Sequence, residues 1–316
     1  MSGSEPDVLV VGAGVCGLTT AICLAEAGLN VAIRTDRPPL ETTSTAAGAI
    51  WGPHLVEDSE RVSGWGASTL ATLLELAGQP GTGVRVLTGT EAWREPGELP
   101  AWSAMLTGAA RCDAGELPAG FVAGWRYTAP VVDMPVYLGY LLDRFRRADG
   151  RLDIAPVGSL GGLAAPAVVN CTGVGARRLV PDPEVLPIRG QVVIVSNPGV
   201  SEFFVGTGDA TAELTYLFPH GDTVLLGGTE QRGSWSTEPD PGTARRILTD
   251  CTAAEPRLAG ATVVGHRVGL RPFRPRVRLE AERPAPGRLV IHNYGHGGAG
   301  VTLSWGCARE VAGLLR

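Results

Sequence analysis

Residues 7–17 read DVLVVGAGVCG, and the rest of the chain is best understood outward from them. Asp7 to Val11 is a run of strand length, apolar after its first residue, as expected of a strand covered on both faces of a parallel sheet. It passes directly into Gly12-Ala13-Gly14-Val15-Cys16-Gly17. From Leu18 to Glu26 apolar residues recur at helical spacing, Gly28 supplies a stop, and Val31-Ala32-Ile33 resumes a strand. The predicted unit is β-α-β. Its glycines have separate tasks: Gly12 permits a tight turn, Gly14 lets backbone N–H groups approach a pyrophosphate, and Gly17 lets helix lie against strand. The helix N-terminus adds partial positive charge, so a dinucleotide is the expected ligand. A GxGxxG pattern alone is weak evidence, and its position between strand and amphipathic helix gives it weight. The ribose-binding carboxylate expected after the second strand is Asp36, with Arg37 in reach of phosphate. The competing reading makes Asp36-Arg37-Pro38-Pro39 a solvated turn.

Around this unit, 44% hydrophobic and 19% charged residues exclude disorder and coiled coil. The 44 glycines and 24 prolines are scattered without a repeat, which makes them turns and not a collagen or linker composition. A formal charge of -5 gives no electrostatic reason to expect nucleic acid or an anionic membrane as partner. Cys16, Cys23, Cys112, Cys171, Cys251 and Cys307 form no metal-ligand spacing, so no metal is expected, and reduced buried thiols suit a reducing cytosol. No basic n-region precedes the first apolar run, and the apolar stretches are too short to span a bilayer. The expectation is a soluble cytoplasmic protein that works on small molecules.

At 316 residues the chain can hold two compact units. Helices are predicted over Gly64 to Ala77 and over Met134 to Ala148, where Pro135 is allowed in the first turn. Pro166 to Gly173 (PAVVNCTG) predicts a buried strand returning to the first sheet. Gly190 to Ser196, Leu214 to Phe218 and Thr223 to Leu226 predict antiparallel strands. No repeat or linker divides the chain, so a β-rich second unit is expected to be inserted and not appended. Near the end, Leu289 to Tyr294, then Gly295-His296-Gly297-Gly298-Ala299-Gly300, then an apolar helical pattern, repeat the strand, turn, helix order. Both ends of the chain are expected to serve one nucleotide site.

Five segments in order carry a more specific likeness: residues 12–18 (GAGVCGL), 46–51 (AAGAIW), 170–173 (NCTG), 271–275 (RPFRP) and 292–298 (HNYGHGG). Together they resemble the D-amino-acid oxidase and D-aspartate oxidase family, the last two being far more specific than the first. The resemblance implies an α/β fold, with an FAD-binding Rossmann-like domain (1–50, 133–182 and 271–316) and an inserted, mainly antiparallel substrate domain (51–132 and 183–270). It implies non-covalent FAD held by Gly12, Ala13, Gly14, Val15, Cys16, Gly17, Asp36 and Arg37. Thr42, Thr43, Ala47, Gly48, Ala49 and Ile50 match the segment lining the flavin, Val157 and Thr172 two further cofactor positions. Gly297, Ala299, Gly300, Val301 and Thr302 match the turn that wraps the isoalloxazine edge.

By the same resemblance Arg271 grips the substrate carboxylate with its planar fork and the Tyr216 hydroxyl meets that carboxylate. The Gly298 carbonyl accepts from the substrate amine, glycine being needed where backbone touches a ligand. The bland readings are a structural arginine within the basic stretch Arg267 to Arg283 and a core tyrosine. His292 and His296 are expected to be structural, since hydride abstraction requires neither. Relatives carry a second tyrosine four residues before Tyr216 on a lid; here that position is Ala212, in a short loop from Gly206 to Glu213, which implies a more open entrance. The loop from Gly206 to Thr215 holds no arginine, which disfavours D-aspartate. The implied reaction is hydride loss from Cα of a neutral D-amino acid, bulky and basic side chains included, with oxygen as acceptor and a 2-oxo acid, ammonia and hydrogen peroxide as products. Rival readings are D-aspartate oxidase, an amine or glycine oxidase, a dehydrogenase, and a flavin-dependent sensing module. Homodimerisation is implied at family level only.

Overall fold

The computed structural model describes residues 5–207 and 214–315. Its regular elements are β1 (Val8–Val11), α1 (Val15–Glu26), β2 (Val31–Thr35), α2 (Glu60–Ala77), β3 (Val84–Trp93), β4 (Thr107–Arg111), β5 (Ala123–Val132), α3 (Met134–Arg147), β6 (Arg151–Ile154) and β7 (Ala167–Asn170). There follow α4 (Ala176–Leu179), β8 (Leu186–Ser196), β9 (Phe203–Thr207), β10 (Thr215–His220), β11 (Thr223–Gly227), β12 (Gln231–Arg232), α5 (Pro241–Ala254), β13 (Val263–Ala285), β14 (Arg288–His296) and α6 (Gly300–Leu314). The α/β class with one parallel and one antiparallel region agrees with the sequence expectation.

The strands join in one sheet in the order β4-β5-β3-β9-β10-β11-β8-β13-β14-β7-β1-β2-β6, with β12 paired to β8. From β14 to β6 neighbours run parallel: Val8 pairs with Val31 on one side and Ala167 on the other, and Leu289 with Ala167. All four residues of β1 are buried. Alternation along a strand sends Val8 and Val10 into the main core with Leu18, Ile22, Leu73, Tyr137 and Phe145, and Leu9 and Val11 into a second cluster with Leu160, Leu163 and Val168. Each of the fully buried Leu and Ile side chains of α1 contributes about 1.5–3 kcal/mol by leaving water.

Helix boundaries differ from expectation at α2, which starts at Glu60 and not at Gly64 because the Ser59 hydroxyl caps it, accepting from the Val62 N–H at 3.2 Å. The helix packs on α6: a Cβ on Gly306 would lie 2.3 Å from the Trp65 carbonyl oxygen, and the Gly306 N–H donates to Thr69 Oγ1 at 3.0 Å. In the antiparallel region, β8, β10 and β11 bury one face against Ala244, Ile247 and Cys251 of α5. The opposite face carries Val192, Ile194, Tyr216, Phe218 and Leu225.

Strand β13 links the two regions. Its 23 residues pair first with β8, from Val263 to Phe273, then with β14, from Phe273 to Ala285, with a register shift between Phe273 and Arg278. Pro272 and Pro275 lack the N–H a ladder needs, so the break in pairing falls in the RPFRP segment.

Candidate active site

The nucleotide end is built by backbone against backbone. Gly12 has φ +105°, and a Cβ there would stand 2.5 Å from the Cys171 carbonyl oxygen; one on Gly17 would stand 1.9 Å from the Gly12 oxygen. Only glycine fits either position. Gly14 differs: its missing Cβ would meet nothing closer than Ser44 Oγ at 3.0 Å and Thr42 Oγ1 at 3.9 Å. The Ser44 hydroxyl accepts from the Val15 N–H at 2.9 Å. With no carboxylate in its first turn, the α1 N-terminus therefore faces a hydroxyl-lined cradle, which fits a pyrophosphate. Ala13 is buried in the core below, and Cys16 Sγ lies 3.6 Å from both His296 Nδ1 and the Gly300 carbonyl oxygen, tying the two glycine turns together. Burial pushes the Cys16 thiol up, so it stays neutral.

Asp36 and Arg37 follow β2 in an exposed turn and pair with each other at 2.9 Å. On the same strand, two residues before Asp36, Arg34 Nε is buried without a hydrogen-bond partner, a donor that an acceptor on a bound group would satisfy. Val157 packs against the Leu160 cluster, and Thr172 Oγ1 donates to Asn170 Oδ1 at 2.7 Å. Thr42 Oγ1 donates to the Pro39 carbonyl at 2.7 Å, whereas Thr43 packs toward Gly269.

The C-terminal turn is knit to residues 52–55. Gly297, at φ +55°, leaves no room for a side chain because a Cβ would lie 1.8 Å from the Leu55 oxygen. The Gly298 N–H donates to the His54 carbonyl at 3.1 Å, and Thr302 Oγ1 donates to the Gly52 carbonyl at 2.9 Å. Ala299, Val301 and Thr302 are buried, with Gly300 opening α6. His296 and His292 are buried and bonded to Asn293 and Asn170, at 3.1 and 3.3 Å. Ala47 packs on the main core, while Ala49, at φ +55°, accepts from the Val132 N–H and sets Ile50 opposite Val131. Gly48 lies against the rings of Phe218 and Tyr216.

Arg271 occupies β13 just before the handover from β8 to β14. Its guanidinium lies flat on Gly190, where a Cβ would be 2.6 Å from Nη1, and Nη1 donates to the Thr229 carbonyl at 2.7 Å. Tyr216 is buried with its ring on Gly227 and Gly228. Burial pushes its phenol up, and the guanidinium beside its hydroxyl works in the opposite direction. Arg271 and Tyr216 are thus neighbours, and a bridge runs from them to Gly298. Glu230, next after Thr229, sets Oε1 at 2.7 Å from His54 Nε2, and His54 borders Gly298, whose Cβ would be 2.5 Å from His54 Cδ2. Burial alone would raise the Glu230 carboxyl, but His54, Arg271 and Arg232 outweigh it and hold it below the usual range.

Sequence reasoning leaves out Ser44, His54, Thr229 and Glu230. The hydroxyl run Thr42-Thr43-Ser44-Thr45 is the local sign of the first; the others declare themselves only through contacts distant in the chain. Of the loop expected from Gly206 to Glu213, Gly206 and Thr207 end β9, and the remainder, with Ala212, lies outside the described residues.

Residues 7–314 match the family described as FAD dependent oxidoreductase. The chain belongs to that family. Its cofactor is FAD, and the Gly14 cradle, the Arg34 orphan and the glycine turn at 297 and 298 suit a bulky anionic dinucleotide. The chain is 52% identical to the D-amino-acid oxidase of Rubrobacter xylanophilus, covering 97% of this chain and 94% of the relative. It is 35% identical to the human D-aspartate oxidase, covering 98% and 94%. Among solved structures, glycine oxidase from Geobacillus kaustophilus superposes with a TM-score of 0.79 at 22% identity, covering 98% of this chain and 94% of that one, a likeness of fold. No helix among the described residues is long and apolar enough to cross a membrane.

Proposed function

We propose that this flavoenzyme is a D-amino-acid oxidase that deaminates neutral and basic D-amino acids. The observation that carries the reading is the seating of Arg271: a guanidinium held on a glycine floor by the Thr229 carbonyl, beside a buried tyrosine hydroxyl and one bridge away from the glycine turn. A planar fork fixed in this way suits a carboxylate, with Tyr216 as second contact. The Gly298 carbonyl takes the amine and so fixes which substituent of Cα faces the cofactor. Orientation of this kind supplies much of the rate. When bound, FAD supplies the hydride acceptor and passes two electrons on to oxygen. The balanced reaction is D-amino acid plus oxygen plus water giving 2-oxo acid, ammonia and hydrogen peroxide. No side chain of this site acts as nucleophile, and His292 and His296 are held for structure.

The same reading assigns the cofactor contacts to the residues 12–17, 36–37, 42–43, 47–50, 157, 172, 297 and 299–302. It divides the chain at the boundaries expected from sequence, except that α2 belongs with the nucleotide-binding part because it packs on α6. A cytoplasmic location is supported by six free cysteines, and a homodimer by the family resemblance. The decisive experiment is anaerobic addition of D- and L-amino acids to the purified yellow protein. Loss of flavin absorbance with D-alanine or D-valine and none with the L-isomers is expected; no bleaching by any D-amino acid would remove the proposal.

A further inference from the structure

The proposed function, on which this inference rests, holds substrate by its carboxylate on Arg271 and its amine on Gly298, and the pair His54 and Glu230 borders both anchors: Glu230 follows Thr229, which holds Arg271, and His54 lies against Gly298. Glu230 is anchored from behind, because the preceding Thr229 carbonyl accepts from Arg271 Nη1 at 2.7 Å. Its Oε1 and His54 Nε2 face each other at 2.7 Å, both atoms shielded from solvent although the side chains are 26% and 41% exposed, and their alignment falls short of a hydrogen bond. The carboxylate therefore keeps acceptor capacity. A substrate carboxylate on Arg271 would also neutralise one of the cations that stabilise the Glu230 charge, which strengthens the demand for a new partner.

A second acid, Glu91 on β3, accepts from Tyr127 Oη at 2.8 Å and is drawn electrostatically to His54, although burial pushes its carboxyl up. We infer that Glu230 determines side-chain specificity and directs the enzyme toward D-amino acids bearing a cationic ammonium or guanidinium group. Such a group donates to Glu230 in place of the misaligned His54, whereas an acidic side chain meets like charge in a half-buried setting. An aliphatic side chain of the same length gains no such partner.

The test compares kcat/KM for D-lysine, its uncharged analogue D-norleucine and D-glutamate in the holoenzyme and in Glu230→Gln and Glu230→Arg. Ratios between substrates within one enzyme cancel differences in flavin content. Wild type is expected to favour D-lysine over D-norleucine by about tenfold or more and D-lysine over D-glutamate by at least about a hundredfold. Glu230→Gln should collapse the first ratio toward one, and Glu230→Arg should shift preference toward D-glutamate. A wild type that oxidises D-norleucine as well as D-lysine overturns the inference without any variant being needed, and so does a lysine preference that survives Glu230→Gln. Either result leaves the D-amino-acid oxidase reading standing, whereas failure to oxidise any D-amino acid ends both.

Discussion

The two ends of the candidate site use glycine for different reasons. At the nucleotide end, backbone meets backbone: Gly12 against the Cys171 carbonyl, Gly17 against that of Gly12, Gly297 against that of Leu55. At the substrate end, side chains lie on backbone: Arg271 on Gly190, Tyr216 on Gly227 and Gly228, Phe218 on Gly48. A backbone clash cannot be relieved without moving an element, whereas a guanidinium at the end of a flexible chain can retreat. The first kind of glycine therefore determines whether the cofactor site exists, and the second how well a formed site works.

The largest effect that could break this contrast is Gly17→Val. With a Cβ 1.9 Å from the Gly12 oxygen, helix α1 must leave the sheet, and the variant is expected to be recovered without flavin, if it is recovered at all. A yellow, active Gly17→Val protein, detected by its absorbance spectrum, would refute the backbone argument. Next comes Arg271→Leu, which is expected to keep its flavin while losing about a thousandfold in kcat/KM, on the order of 4 kcal/mol of transition-state stabilisation. Near-normal steady-state kinetics on D-alanine in that variant would remove Arg271 from the site.

How much of this could be read from the chain follows the same division. The strand, turn and helix of residues 7–28 are legible because every constraint is local, and the helix from Met134 ends within one residue of expectation. RPFRP and HNYGHGG are legible only through family likeness. The 23-residue β13 is not legible, since Pro272 and Pro275 argue against a strand unless the ladder is known to change partner there. Neither is the meeting of Glu230 with His54 or of Gly190 with Arg271, because no periodicity or spacing encodes a contact between segments so far apart.

Acidification separates the two ends in a further way. His296 is 2% exposed in the seam between the glycine turns, and burial holds it down at about 4. The unfolded chain, with an imidazole near 6.5, takes up a proton that the native state refuses. Stability is therefore full above pH 6.5 and is lost as pH falls toward 4, by about 2–3 kcal/mol at pH 4.5. Carboxylates such as Asp182, which accepts from Tyr294 and Arg274, add a loss of the same sign at lower pH. Urea unfolding at pH 7 and 4.5 of wild type and His296→Gln isolates the histidine: the variant should lose about 2 kcal/mol less on acidification. An equal loss in both would show that His296 is free to protonate in the native state.

The smallest expected effect is the most discriminating. Gly190→Ala places a Cβ 2.6 Å from Arg271 Nη1, so the fork must shift by several tenths of an ångström, and the three atoms nearest that Cβ all belong to the end of the flexible arginine side chain. Flavin content and unfolding midpoint should stay near wild type, because the strain escapes along the arginine side chain. Catalysis should not, since a displaced carboxylate grip misorients Cα, and a fall in kcat/KM of about tenfold is expected. The result to look for is this dissociation: loss of activity with the cofactor retained. Were Gly190→Ala to shed flavin as Gly17→Val is expected to do, the substrate end would be as backbone-limited as the nucleotide end, and Arg271 would be part of the scaffold and not a movable grip.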